Sequence, residues 1–429
     1  MTDAGTTERR NRGLSRRALL GAFGAGAAVA VGVGAAGVAV ARTRDDQATA
    51  DDRYPFHGEH QQGVSTPMQT SLHFAALDVT TDSRDELIAL LRRWTGAAAA
   101  MADGRPVGAF GAVNGPYDAP PDDTGDALDL PASNLTITIG LGPTLFRTAD
   151  GVDRFGIADR QPSTLTPLPP FPGDAIDPSI SGGDLCIQAC ADDAQVAVHA
   201  VRNLVRLAFG VAAVRWSQMG YGKSSSTTHD EPTPRNLFGF KDGTANITGD
   251  DASGLDDFVW AGPSDGPAWM AGGTYLAVRK IRMTIETWDR TSLREQEGVF
   301  GRTKREGAPL SGGDEFTPPD FAATGREGEP LVPVDSHVAL AHASNQGGNR
   351  ILRRAYNYTD GSDRLGRLDA GLFFLAYQRD IEAQFVPMQT ALSKSDRMNE
   401  YVRYLSSATF AIPPGVRGAD GYLGEGLFA

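Results

Sequence analysis

Cysteine is nearly absent: Cys186 and Cys190 are the only two in 429 residues. That excludes a fold built on a disulfide framework. The pair lies in Asp184-Leu185-Cys186-Ile187-Gln188-Ala189-Cys190-Ala191, whose apolar pattern is that of a strand. On a straight strand the two thiols share one face about 13 Å apart and cannot bridge to each other. Without clustered histidines they also make a poor zinc site. Positive charge is in deficit, with 40 Lys and Arg against 53 Asp and Glu, a net charge of -13. Residues 1–41 hold five of the arginines and two of the acids, so the remainder stands at 35 against 51, or -16. An acidic surface of that kind argues against nucleic acid or an anionic membrane as partner.

Long runs of Leu and Ile are lacking too. The one extended uncharged run, residues 18–41, is mostly Ala and Gly. It follows Gly13-Leu14-Ser15-Arg16-Arg17 and ends Ala39-Val40-Ala41. Paired arginines, a weakly apolar stretch and an Ala-x-Ala site read as a twin-arginine export signal; a bilayer-spanning anchor would be richer in Leu and Ile. That route carries folded proteins, which favours an exported cofactor enzyme at a periplasmic, cell-surface or extracellular location. Residues 42–68 are polar and read as a flexible lead-in, where the spacing of His57 and His60 suggests a solvated tail before it suggests a metal site.

The rest is long enough for a large core or two domains. Strands are expected at 70–79, 135–141, 184–191 and 214–221, with helices from 83 and from 192. Ser83 and Glu86 form a capping box ahead of the stripe Leu87, Leu90, Leu91 and Trp94. Strand, helix, strand, loop, strand, helix, strand is the order of a ferredoxin-like unit. The strands at 274–285, 371–380 and 404–411 and the helices from 291 and 381 repeat it. The expectation is an α+β chain with a ferredoxin-like half at 69–225 and another at 226–429, each an antiparallel sheet with peripheral helices.

Chemistry concentrates in the second half. Val334-Asp335-Ser336-His337-Val338-Ala339-Leu340 alternates like a strand, turns through Asn345-Gln346-Gly347-Gly348-Asn349, and returns as Arg350-Ile351-Leu352-Arg353-Arg354-Ala355-Tyr356. The pattern predicts a hairpin with an imidazole on one arm and fixed cations on the other. Imidazole is a good iron ligand, although a lone histidine on a strand is more often a packed residue. The second stretch, Asn236-Leu237-Phe238-Gly239-Phe240-Lys241-Asp242-Gly243-Thr244-Ala245-Asn246, ends in a turn where Gly243 supplies a positive φ.

With Gly239-x-x-Asp242-Gly243, Gly301-Arg302-Thr303-Lys304-Arg305-Glu306-Gly307-Ala308-Pro309-Leu310, Asp335-Ser336-His337-Val338, Ile351-Leu352-Arg353-Arg354 and Gly371 to Asp380 in that order, residues 66–425 resemble the dye-decolorising peroxidases. The export signal makes the chain similar to the branch that includes the haem deferrochelatases. The resemblance implies one haem b per chain, held in the C-terminal half, with His337 as proximal ligand and Asp242 and Arg353 on the distal side. Gly243, Thr244, Ala245, His342, Ala343 and Ser344 would line the haem. Where relatives carry an Asn-Pro-Arg-like run, this chain has His342-Ala343-Ser344. The substrates implied are hydrogen peroxide and an aromatic reductant.

Splitting peroxide on ferric haem needs a proton moved between its oxygens and negative charge stabilised, roles that suit Asp242 and Arg353. A carboxylate with an ordinary pKa near 4 stays ionised in mild acid, so oxidation is expected to run fastest below neutral pH. His342, at an odd spacing from His337, would face away on a strand, leaving His337 as the ligand. Trp260, Trp288, Tyr356 and Tyr358 are relay candidates for bulky dyes, though each reads more simply as core. Gly262-Pro263-Ser264-Asp265-Gly266 matches a hydrolase nucleophile elbow, but glycines and a strand follow where that elbow needs a helix. The closer rival is a haem-handling protein that releases iron from haem, partnered with an iron permease and a lipoprotein; an oligomer is left open.

Overall fold

A computed structural model describes residues 53–429; the expected export signal and the first part of the lead-in lie outside the described residues. The N-terminal half runs β1 (Ser71–Val79), α1 (Arg84–Ala102), β2 (Thr136–Leu141), β3 (Leu185–Ala191), α2 (Ala194–Leu207), β4 (Ala212–Lys223). α1 begins where the sequence places it, with Ser83 Oγ accepting from Glu86 N at 3.3 Å. Its Trp94 is fully buried and donates Nε1 to Leu204 O of α2 at 2.7 Å. Side chains of β1 divide by parity: Ala75, Leu77 and Val79 pack under the helices, while Leu72, Phe74 and Ala76 enter a second core with Cys186 and Cys190. Burial on both faces is why these strands read as continuous apolar runs. The cysteines are free and share one face, as the strand reading requires.

The C-terminal half runs β5 (Thr274–Met283), α3 (Leu293–Phe300), α4 (His337–Ala341), β6 (Leu352–Arg353), β7 (Tyr356–Ser362), β8 (Leu368–Gln378), α5 (Val386–Ser395), β9 (Val402–Tyr404), β10 (Ala408–Ile412). Strands of the first half pair β4-β1-β3-β2 and those of the second β10-β5-β8-β7, all antiparallel, so the same order occurs twice. The two sheets also join at both edges, through β4 with β7 and β2 with β10. Edge strands become each other's partners, leaving no long open edge for aggregation among the described residues. Between the sheets lies an apolar layer of Phe74, Trp216, Leu276, Val278, Phe373, Leu375 and Phe410. Each such side chain contributes about 1.5–3 kcal/mol on burial.

Two expectations are corrected. Residues 53–68 are not a flexible lead-in. The β2–β10 seam has a single strand pairing, Leu141 with Ala411, and buried Gln61 extends it by bonding both Ile139 N and Ile139 O as well as Pro413 O. His60 stacks on Trp260 at 3.8 Å and bonds Gly272 O, so it is structural. The second correction is local and decisive for chemistry: His337 lies on a helix. Ser336 caps α4, its Oγ accepting from Ala339 N at 3.4 Å, and its own N–H and O–H go to Pro333 O. A capping serine three residues after proline overrides the apparent alternation, and the hairpin has only its second arm, β6.

Candidate active site

A cavity of about 630 Å³ opens on the C-terminal half, within the range of small-molecule and cofactor pockets. Its walls are mainly apolar, with Phe240, Ile281, Met283, Phe300, Leu372 and Phe374 among them. Several of these belong to a third core, where Phe240 and Phe300 stack at 3.9 Å and Phe300 meets the His337 ring edge-on at 6.4 Å.

His337 borders this cavity at the first turn of α4. Its Nδ1 donates to Asp396 Oδ2 at 2.6 Å, which fixes the tautomer and leaves Nε2 as the nitrogen with a free lone pair. Burial pushes the imidazole pKa down, but the charge and hydrogen bond of buried Asp396 more than offset that, and the value is raised. Asp396 is held in turn: it ends α5, and its Oδ1 accepts from Met398 N at 2.8 Å.

Asp242 and Arg353 line the same cavity and form an ion pair. Asn236 donates to the other Asp242 oxygen at 3.3 Å. Two contacts leave a carboxylate with further acceptor sites. Arg353 is positioned by Asn246, whose Oδ1 accepts from Arg353 N at 2.7 Å while its Nδ2 donates to Arg353 O at 2.8 Å. Gly243 makes the turn between them at φ +115°, and a Cβ there would come within 2.7 Å of Ser226 N. Only glycine fits that approach.

Most of the expected site is thus assembled. Gly243, Thr244, Ala245, His342 and Ala343 join Asp242, His337 and Arg353 on the cavity wall. Ser344 does not; its hydroxyl bonds His342 Nδ1 at 2.8 Å. His342 follows α4 as its C-terminal cap, so both histidines reach the cavity and the strand argument for separating them fails. They differ in environment: burial, then the charge of Arg302, holds the His342 pKa below its ordinary value, and no carboxylate braces its ring. Asp396, Asn246 and Arg302 were missed because their partners are remote in sequence; the only local hint was Asn246 and Arg302 lying inside the quoted motifs.

Trp260, Trp288, Tyr356 and Tyr358 are all buried. Ser264 sits in a turn between Trp260 and Ala268 with no helix directly after it, and its neighbour Asp265 is paired with Arg379, so no elbow forms. Among the described residues no cluster of three or more His, Cys, Asp or Glu forms a metal cage. One braced imidazole in a large apolar cavity instead suits a flat, mostly apolar group carrying its own metal. The fit to haem b is good.

Comparison with known proteins agrees with that fit. Residues 61–222 match the family model for the Dyp-type peroxidase N-terminal domain and 233–417 that for the C-terminal domain. A deferrochelatase of Escherichia coli O6:K15:H31 is 37% identical over 381 residues, covering 88% of this chain and 87% of its own length. A solved oxyferrous complex of DtpA from Streptomyces lividans shares 39% identity, covers 88% of this chain and 98% of its own, and superposes with a TM-score of 0.79. A DyP-type peroxidase from Cellulomonas bogoriensis shares 38% identity with TM-score 0.77, covering 87% and 98%. The chain belongs to the Dyp-type, or dye-decolorising, peroxidase family.

Proposed function

We propose that His337 is the iron ligand of a haem b peroxidase in which Asp242 and Arg353 act on hydrogen peroxide. The observation that carries this reading is the convergence of a carboxylate-braced imidazole and an Asp–Arg pair on one apolar cavity. Haem bound there supplies the redox-active iron at which the peroxide O–O bond is split. Asp396 keeps the proton on His337 Nδ1, so Nε2 stays available and strongly basic. Asp242 has acceptor capacity left to take the proton from the inner peroxide oxygen and return it to the outer one. Arg353 cannot lose its charge and stabilises the negative charge that develops as the bond breaks. Asn246, by bonding both backbone groups of Arg353, fixes the backbone from which the guanidinium reaches Asp242. The electrons come from an aromatic reductant.

Haem itself is a second candidate substrate, because relatives 37% identical over 88% of this chain bear the name deferrochelatase. We further read residues 1–41 as a twin-arginine signal that exports the folded protein. An iron permease and a lipoprotein would be its partners under the iron-release reading. Replacing each histidine separately tests the ligand. His337→Ala is expected to lose haem, or to alter its spectrum, while His342→Ala retains it; the opposite result would reassign the iron to His342. Extracting tetrapyrrole after turnover with haem separates the two substrate readings, since iron release yields intact iron-free porphyrin and peroxidase turnover leaves haem unchanged.

A further inference from the structure

Three histidines border the main cavity among the described residues, and the reading above uses one. His337 is held by Asp396, and His342 by Ser344. His229 is exposed, and its ring is held only by an edge-on contact with Phe316, 5.7 Å between ring centroids. Its imidazole is therefore open to a ligand.

A second cavity, of about 480 Å³, is lined by His229, Glu231, Pro232, Thr233, Glu315 and Phe316. Among the described residues His229 alone borders both cavities. The partition between them is thin. Lys241 and Thr244 line the main cavity, and both reach Glu315 of the second, Lys241 through an ion pair and Thr244 by donating Oγ1 to Glu315 Oε1 at 3.1 Å.

The lining selects a chemical class. Phe316 is 60% exposed, and Pro232 is exposed as well, so a flat aromatic ring seated there would remove apolar surface from water on both partners. Glu231 is paired with Lys223 and Glu315 with Lys241, which leaves neither cation for an anionic ligand. Asp230, exposed next to His229, adds negative charge. A sulfonated dye is repelled by such a rim; an uncharged phenol is not.

We propose that the second cavity docks an uncharged phenolic reductant and that His229 takes the phenolic proton as the ring gives up its electron. This rests on the haem peroxidase reading above. The phenol loses one electron across the thin partition to the haem site and one proton from its O–H to an imidazole nitrogen, which hands the proton to solvent. A phenoxyl radical leaves, and two phenols per hydrogen peroxide balance the reduction of peroxide to two waters. A phenol is hard to oxidise while it keeps its proton, so a base within hydrogen-bond reach speeds this step.

The test uses the haem-loaded full chain with peroxide and two donors: guaiacol, which releases a proton on oxidation, and ferrocyanide, which releases none. His229→Gln and His229→Phe should lower kcat for guaiacol about 100-fold or more, the ordinary contribution of a positioned base, while ferrocyanide turnover stays within about twofold. In equilibrium dialysis without peroxide, the guaiacol dissociation constant should barely move in these variants. Phe316→Ala should raise that constant about 3- to 10-fold, the loss of one aromatic contact, with guaiacol kcat nearly unchanged. Phe209→Ala, which removes an exposed ring outside both cavities, should change neither quantity. His229 variants that oxidise guaiacol at the wild-type rate, or that slow both donors by the same factor, would overturn the proposal. So would a guaiacol affinity untouched by Phe316→Ala. A wild type that turns over neither donor would sink the haem reading and this proposal with it, a result distinguished by appearing before any residue is changed.

Discussion

Asp396→Asn removes one charge and turns the acceptor that faces His337 Nδ1 into an amide donor. The asparagine retains an oxygen for Met398 N, which now bonds Asp396 Oδ1 at 2.8 Å, so the cap after α5 survives. What is lost is the carboxylate 2.6 Å from His337 Nδ1. Partners of that kind are worth about 10- to 100-fold in metal affinity, or about 1.4–2.8 kcal/mol. Haem should therefore transfer from the variant to apomyoglobin about 10- to 100-fold faster than from wild type. The apoprotein carries a second signature. Burial lowers the His337 pKa and Asp396 more than reverses that, so the folded-state value is raised. A raised histidine contributes stability below the unfolded value near 6.5, and that contribution disappears as pH rises through the folded-state pKa. Wild-type apoprotein should exceed the variant in denaturant resistance near pH 5.5, with the gap narrowing by pH 9. A variant that holds haem within twofold of wild type, with a stability gap independent of pH, would refute the brace.

Gly301→Ala places a β-carbon in the left-handed region and 2.7 Å from the serine that caps α4, so about 1–3 kcal/mol of unfolding free energy should be lost together with part of the haem occupancy, read by denaturant titration and Soret absorbance. Far from the cavity, burial raises the Asp126 pKa but hydrogen bonds from Thr124 and His199 bring it from 3.8 down to about 2. A depressed carboxylate stabilises above its unfolded pKa and ceases to as pH falls through the folded value. Asp126→Asn should thus cost about 1–2 kcal/mol at pH 7, allowing for solvent screening, with the difference vanishing near pH 2 in chemical denaturation.

The strands and their duplicated order were legible because each strand carries its own local pattern. Closure of the two sheets was not, since it depends on Tyr221 meeting Asn357 and Leu141 meeting Ala411, pairings no local pattern encodes. Asp242, Gly243 and Arg353 could be named because they sit in spaced motifs, and Gly243 also has a backbone reason to be glycine. His337 was named as the haem ligand on a strand; it lines the cavity from a helix instead, and Ser336, three residues after Pro333, was the overlooked capping signal. Asp396 lies 59 residues from its histidine, and single-sequence periodicity carries no information at that range. Gln61 shows the same limit: a polar lead-in looks solvated until its amide is seen completing a strand seam.

The role of Asp242 in peroxide cleavage is read out by the absorbance spectrum of the purified, haem-loaded protein before and after one equivalent of hydrogen peroxide, in wild type and Asp242→Asn. A Soret band is expected in both, with a rapid peroxide-induced change in wild type and a change slowed about 100-fold or more in the variant, the usual contribution of a positioned acid–base group. An Asp242→Asn protein that reacts with peroxide at the wild-type rate would contradict that role.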